Sequence, residues 1–217
     1  MKKIITIILS LAMLLSLTCP AFAAEPTPTD PDIDIDAELA TFAETYHITV
    51  DEIKNLPDNL SNALNEIGSI SIDETVTVPI SENLTLTLTS AETKNENLSL
   101  YTVSPGLYSF ESTANIKNAL GMTLATYTAT GMFIIQNGTC SPSDGYGTYK
   151  STFYYISNGS TQKGPTGVYS SYVRVSFSAQ LKLGIDPISI TLDSYSLACT
   201  LHMSANLDTD IIWTDPF

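Results

Sequence analysis

The chain is predicted to be mainly β, an antiparallel β-sandwich preceded by a short N-terminal helical hairpin, with a closed β-barrel as the alternative. Three observations carry this. From residue 69 onward apolar and polar residues alternate with period two. Turn signals recur between those runs. Only residues 37–67 carry a helical period.

The first residues have a different character. Lys2 and Lys3 precede an apolar run from Ile4 to Leu17, and Ala21-Phe22-Ala23 places small residues where a signal peptidase reads. Residues 1–23 are expected to be a secretory signal peptide cleaved after Ala23, and the Met-Lys-Lys start points to bacterial export. The expected location is secreted or extracellular. No stable membrane span is expected in the mature chain, because no later apolar stretch is long enough.

Residues 24–36 follow as an acidic, proline-rich linker. Glu25 to Asp36 holds three prolines and five acids, which favours an extended, self-repelling segment. Its alternating aspartates do not make a calcium loop: counted from Asp32, the sixth and twelfth positions are Ala37 and Ala43, where an EF-hand needs Gly and Glu.

The period then becomes helical. Leu39, Phe42, Ala43 and Tyr46 fall on one face, and Thr49-Val50-Asp51-Glu52 fits a capping box. Leu60, Ala63, Leu64 and Ile67 form a further face stopped by Gly68. Residues 37–68 are read as two or three short helices. The run from Phe42 to Leu56 resembles the helix–turn–helix of the LysM peptidoglycan-binding family. That family's first strand, with its Gly-Asp-Thr turn, has no counterpart upstream, so the resemblance is confined to those fifteen residues.

Residues 69–217 are read as the sandwich domain. Val76, Val78 and Ile80 alternate with threonines and Pro79. Leu84, Leu86 and Leu88 alternate with Thr85, Thr87 and Thr89, and Ser81-Glu82-Asn83 makes the pair a hairpin. Further strands are expected near Leu98–Val103, over Leu107–Ile116 and over Met122–Ile135. Asn137-Gly138 is a hairpin turn, since both residues tolerate positive φ. One strand is then expected over Thr148–Ile156 and a loop over Asn158–Gly167. Val173 to Leu183 alternates cleanly, and Gly184 to Pro187 turns the chain into the last long strand.

Within that strand the apolar phase switches. Ile188, Ile190 and Leu192 are even; Tyr195, Leu197, Cys199, Leu201 and Met203 are odd. A bulge is therefore expected at Asp193-Ser194, because a one-residue slip reverses which face points inward. Beyond it Cys199 points in and His202 points out. Three residues apart on a strand, the two cannot share a metal or act as nucleophile and base.

Charge and composition narrow the function. The net charge is −14, and the acids are concentrated before residue 97. Nucleic acid, which needs a basic face, is excluded as a partner. The chain has no G-x-S-x-G, H-E-x-x-H, P-loop or G-x-G-x-x-G pattern, and its only histidines are His47 and His202. No catalytic residue, metal site or cofactor is assigned. Two cysteines follow the signal segment, Cys140 and Cys199, and in an exported protein an even pair is expected to form a disulfide.

Six tyrosines crowd residues 146–172: Tyr146, Tyr149, Tyr154, Tyr155, Tyr169 and Tyr172. A flat apolar ring with a polar tip suits sugar stacking and protein recognition. The reading is a non-catalytic binding module for an unknown extracellular or cell-surface ligand, glycan or protein. A secreted glycan hydrolase using a carboxylate pair and a toxin-like or antimicrobial effector are the alternatives.

Overall fold

The computed structural model describes residues 34–93, 105–152, 154–185 and 188–215, with 154–158 and 182–193 in their backbone course only. The expected signal segment with its expected cleavage at Ala23, most of the expected acidic linker and the strand expected near Leu98–Val103 lie outside these residues.

Three helices come first: α1 (Ile35–Tyr46), α2 (Val50–Lys54) and α3 (Leu56–Ile67). Helix α1 ends in a Schellman turn. His47 takes a left-handed φ of 52° while the Ile48 and His47 amides donate to the Ala43 and Glu44 carbonyls. The capping box expected at Thr49 is present: its hydroxyl accepts from the Glu52 amide, and the Glu52 carboxylate accepts from the Thr49 amide. Pro57 opens α3, where its missing N–H costs no helical bond, and Gly68 at φ 70° closes it.

Ten strands follow: β1 (Ser69–Ile70), β2 (Thr75–Pro79), β3 (Leu84–Thr93), β4 (Gly106–Asn118), β5 (Thr123–Gln136), β6 (Thr139–Ser151), β7 (Tyr154–Pro165), β8 (Ser170–Ile185), β9 (Ile188–Ser204) and β10 (Thr209–Thr214). They form two antiparallel five-stranded sheets. Sheet I has the order β1-β10-β9-β8-β7 and sheet II the order β2-β3-β4-β5-β6. The sheets stay separate, so the fold is the sandwich and not the barrel.

Period-two alternation explains the packing. Leu84, Leu86 and Leu88 of β3, Phe110, Ala114 and Ile116 of β4, and Val173, Val175 and Phe177 of β8 are buried between the sheets. Aromatic rings fill the centre. Phe110 stacks on Phe133 at 5.4 Å, Phe177 on Trp213 at 6.2 Å, and Tyr127 meets Phe177 edge-on at 5.5 Å. The Trp213 indole N–H donates 2.8 Å to Ser112 Oγ, joining sheet I to sheet II. Helix residues Leu39, Ile53, Leu56, Leu60 and Leu64 belong to this same core, so the helices pack on the sandwich.

Glu52 fastens that junction. Oε1 accepts from Ser81 Oγ at 2.6 Å and from the Asn83 amide at 2.8 Å, both in the β2–β3 turn. Oε2 accepts from the Thr49 amide at 2.8 Å and Asn83 Nδ2 at 3.2 Å. Burial works against the charged form, but these bonds together hold the carboxyl at about 2.

The bulge in the last long strand is present one residue early. Leu181 pairs with Asp193 and Lys182 with Thr191, so Leu192 is the extra residue. Beyond it Cys199 is buried, and His202 lies on the outer face between Tyr172 and Asp210.

Three expectations are corrected. First, Cys140 and Cys199 form no disulfide; both are buried free thiols. The carbonyl of Cys140 accepts from Ser171 Oγ at one end of β8, whereas Cys199 pairs with Val175, four residues further along. Four strand residues span roughly 13 Å, well beyond the roughly 7 Å that a disulfide allows between Cα atoms.

Second, residues 139–147 are strand, not a bridge from the Asn137-Gly138 turn to the next strand. Gly145 and Gly147 lie inside β6 because it presses on sheet I. A Cβ on Gly147 would sit 2.7 Å from both Val175 Cγ1 and Phe177 Cε1. Third, Asn158–Gly167 is largely β7 rather than loop. It is an edge strand paired only with β8, with an irregularity between Asn158 and Thr161, and its residues 159–163 are exposed on both faces, so it carries no apolar alternation. The single strand expected over Thr148–Ile156 is thus the end of β6 and the start of β7, which lie in different sheets. The segment holding Trp213 is a full strand, β10.

Candidate functional site

The structure scatters the six tyrosines. Tyr146 is 49% exposed on the outer face of sheet II, opposite Thr130. Tyr149 is 45% exposed on the other face of the same strand, opposite buried Tyr127. Tyr169 is 64% exposed in the β7–β8 turn. Tyr172 is half-buried on the outer face of sheet I, its ring 6.1 Å from that of His202. Tyr154 and Tyr155 are in β7, opposite Leu181 and Gln180, with side chains outside the described residues. The described four point to different sides and form no common stacking row.

The acids that a carboxylate-pair hydrolase would draw on are Glu111, Asp144, Asp186, Asp193, Asp208, Asp210 and Asp215. Glu111 and Asp144 are exposed on sheet II, and Asp208 is exposed in the β9–β10 turn, held to Ser204. Asp210 is half-buried on β10 and Asp215 follows that strand. Asp186 and the Asp193 side chain lie outside the described residues. Glu52 is the sole buried acid among the described residues, and its oxygens are engaged by the β2–β3 turn. No group of three or more His, Cys, Asp or Glu is placed to hold a metal among the described residues.

A different surface is organised. Strand register sets Thr75, Thr89, Thr113, Thr128 and Thr148 in one row across all five strands of sheet II. The adjacent row is Thr77, Thr87, Asn115, Thr126 and Lys150. Both rows lie on the outer face, because their neighbours Leu88, Ala114 and Tyr127 are the buried set. Strand geometry spaces these side chains at about 4.8 Å across the sheet and roughly 7 Å along it. Cross-strand bonds hold them: Thr77 to Thr87 at 3.1 Å, Thr113 to Thr128 at 3.0 Å, and Thr126 Oγ1 to Asn115 Oδ1 at 2.8 Å.

One corner of this face opens into a groove of about 300 Å³, lined by Asn115, Thr123, Leu124, Thr126, Lys150, Ser151 and Thr152. A bulge builds it. Ile116 pairs with Ala125 and Lys117 with Thr123, which leaves Leu124 as the extra residue. The freed Leu124 carbonyl accepts from the Thr152 amide at 2.9 Å and its hydroxyl at 3.0 Å. Asn118 fixes the adjoining turn. Its Oδ1 accepts from the Leu120 and Met122 amides, and its Nδ2 donates 2.7 Å to the Tyr46 carbonyl of α1. The Tyr46 hydroxyl donates to the Thr152 carbonyl at 3.4 Å, so the last turn of α1 borders the groove.

Sequence reasoning saw the alternating threonines but not the rows, because a row depends on which residue of each strand faces which. The Asn118–Gly121 turn was the available signal for the β4–β5 register. No family model, curated protein or solved structure matches this chain.

Proposed function

We propose that this chain is an exported bacterial protein that works by binding rather than catalysis, holding a glycan against the outer face of sheet II. The observation that carries the reading is the five-strand threonine row beside a hydroxyl- and amide-lined groove. Threonine offers a hydroxyl that both donates and accepts and a methyl that packs on sugar C–H groups. Held in register by the sheet, these groups lose little freedom on binding. Export rests on the Lys2-Lys3 start, the apolar run and Ala21-Phe22-Ala23.

The test is retention on immobilised dextran, cellulose, chitin and polygalacturonate. Thr126→Tyr and Thr128→Tyr place bulk on the face, and Thr200→Tyr places it on the outer face of sheet I. Retention on at least one support is expected, lost in the first two variants and kept in the third. Retention on none, or equal retention by all three variants, would overturn the reading.

A further inference from the structure

Resting on that reading, we infer that the groove accepts a carboxylated sugar unit, with the Lys150 ammonium facing the carboxylate. The argument begins with charge. The chain carries a net −14, yet among the described residues no carboxylate lines the groove, and the one charged lining residue among them is a lysine. Lys150 makes no ion pair among the described residues, where the two pairs found are Lys54 with Asp36 and Lys163 with Asp144. Lys117 is the register partner of Thr123, so a second cation stands at the same corner. The acids of this face, Glu111 and Asp144, each lie six residues from these lysines along the same strands. At strand rise that is roughly 20 Å, beyond a Debye length at physiological salt. Lys150 and Lys117 thus offer an anion two cations at this corner of an otherwise acidic chain, with Glu44 the acid on the helix turn that borders it.

The remaining lining fits a sugar ring. Thr123, Thr126, Ser151 and Thr152 supply hydroxyls, and Asn115 accepts from Thr126, leaving its amide NH₂ to donate. The bulge at Leu124 and its bonds to Thr152 fix the floor, so the groove is formed before a ligand arrives.

The test is affinity electrophoresis of the full mature chain through gels containing polygalacturonate or dextran, at about 50 mM salt where screening is modest. Polygalacturonate is expected to retard the chain more strongly than dextran. Lys150→Gln is expected to weaken the polygalacturonate effect about 1.5- to 5-fold, the range of one exposed ion pair, and to leave any dextran effect unchanged. Lys163→Gln, which removes a cation from edge strand β7, is expected to change neither. Equal retardation by both polymers, or equal loss in the two lysine variants, would overturn the carboxylate assignment while leaving glycan binding in place. Retardation by neither, with no retention on any support, would remove both readings.

Discussion

Replacing Glu52 by Gln tests how the helices are joined to the sandwich. The carboxylate accepts hydrogen bonds from the Thr49 amide and hydroxyl, the Ser81 hydroxyl, and the Asn83 amide and side chain. Gln keeps one acceptor oxygen but turns an NH₂ toward donors, so some of these bonds become N–H against N–H. The magnitude follows from the folded-state pKa, lowered from 4.5 to about 2. At 1.36 kcal/mol per unit, that shift corresponds to about 3 kcal/mol of stability. The residue is 8% exposed but its carboxylate bonds are only part-buried, so solvent screening lowers this to about 2–3 kcal/mol.

The pH dependence has a definite sign. Between pH 4.5 and 2 the unfolded chain binds a proton at this position and the folded chain does not. Stability from Glu52 is thus complete above about pH 4.5 and is lost as pH falls toward 2. Urea unfolding followed by the fluorescence of buried Trp213 reads this directly. At pH 7 Glu52→Gln is expected to lose about 2–3 kcal/mol, and the gap from the wild type is expected to narrow steadily below pH 4.5. Other carboxylates titrate in both proteins and cancel in the difference. A gap under about 0.5 kcal/mol at pH 7, or one that does not change with pH, would refute the reasoning.

Other perturbations read other parts of the structure. Gly147→Ala forces a Cβ against Val175 and Phe177, and is expected to cost about 1–3 kcal/mol in thermal unfolding; no change would mean that β6 does not press on sheet I. Asn118→Ala removes the bonds that shape the β4–β5 turn and its tie to Tyr46, with an expected loss of about 2–3 kcal/mol in urea unfolding. A loss confined to a few tenths would show that the turn is held by its backbone alone. Burial raises both cysteine pKa values, so a thiol reagent is expected to label neither Cys140 nor Cys199 in the folded chain. After denaturation without reductant it is expected to label both, and a chain with no reactive thiol would restore the disulfide.

The legible parts of the sequence were those governed by local rules. The capping box at Thr49 and the phase switch before Tyr195 each follow from a few adjacent residues, and both appear in the structure, the bulge displaced by one position. Edge strand β7 was missed for a physical reason. Its residues 159–163 are exposed on both faces, so its sequence carries no apolar alternation. The start of β6 before Thr148 was missed because the role of its glycines, close approach to Val175 and Phe177, depends on the opposite sheet. The disulfide expectation failed on the same ground, since counting cysteines says nothing about their separation along β8. The proposed binding surface was the least legible part. Tyrosine clustering in sequence disperses across strands, while the threonine rows exist only once five strands are in register.

The most direct test of the account is to map where a glycan touches the protein. In a ¹⁵N-labelled titration with soluble oligogalacturonate, amide shifts are expected in β4, β5 and β6 around Asn115, Thr126 and Lys150. The outer face of sheet I, around Tyr172, Arg174 and His202, is expected to stay still. Shifts centred on sheet I, or no shifts with any soluble glycan, would contradict the account.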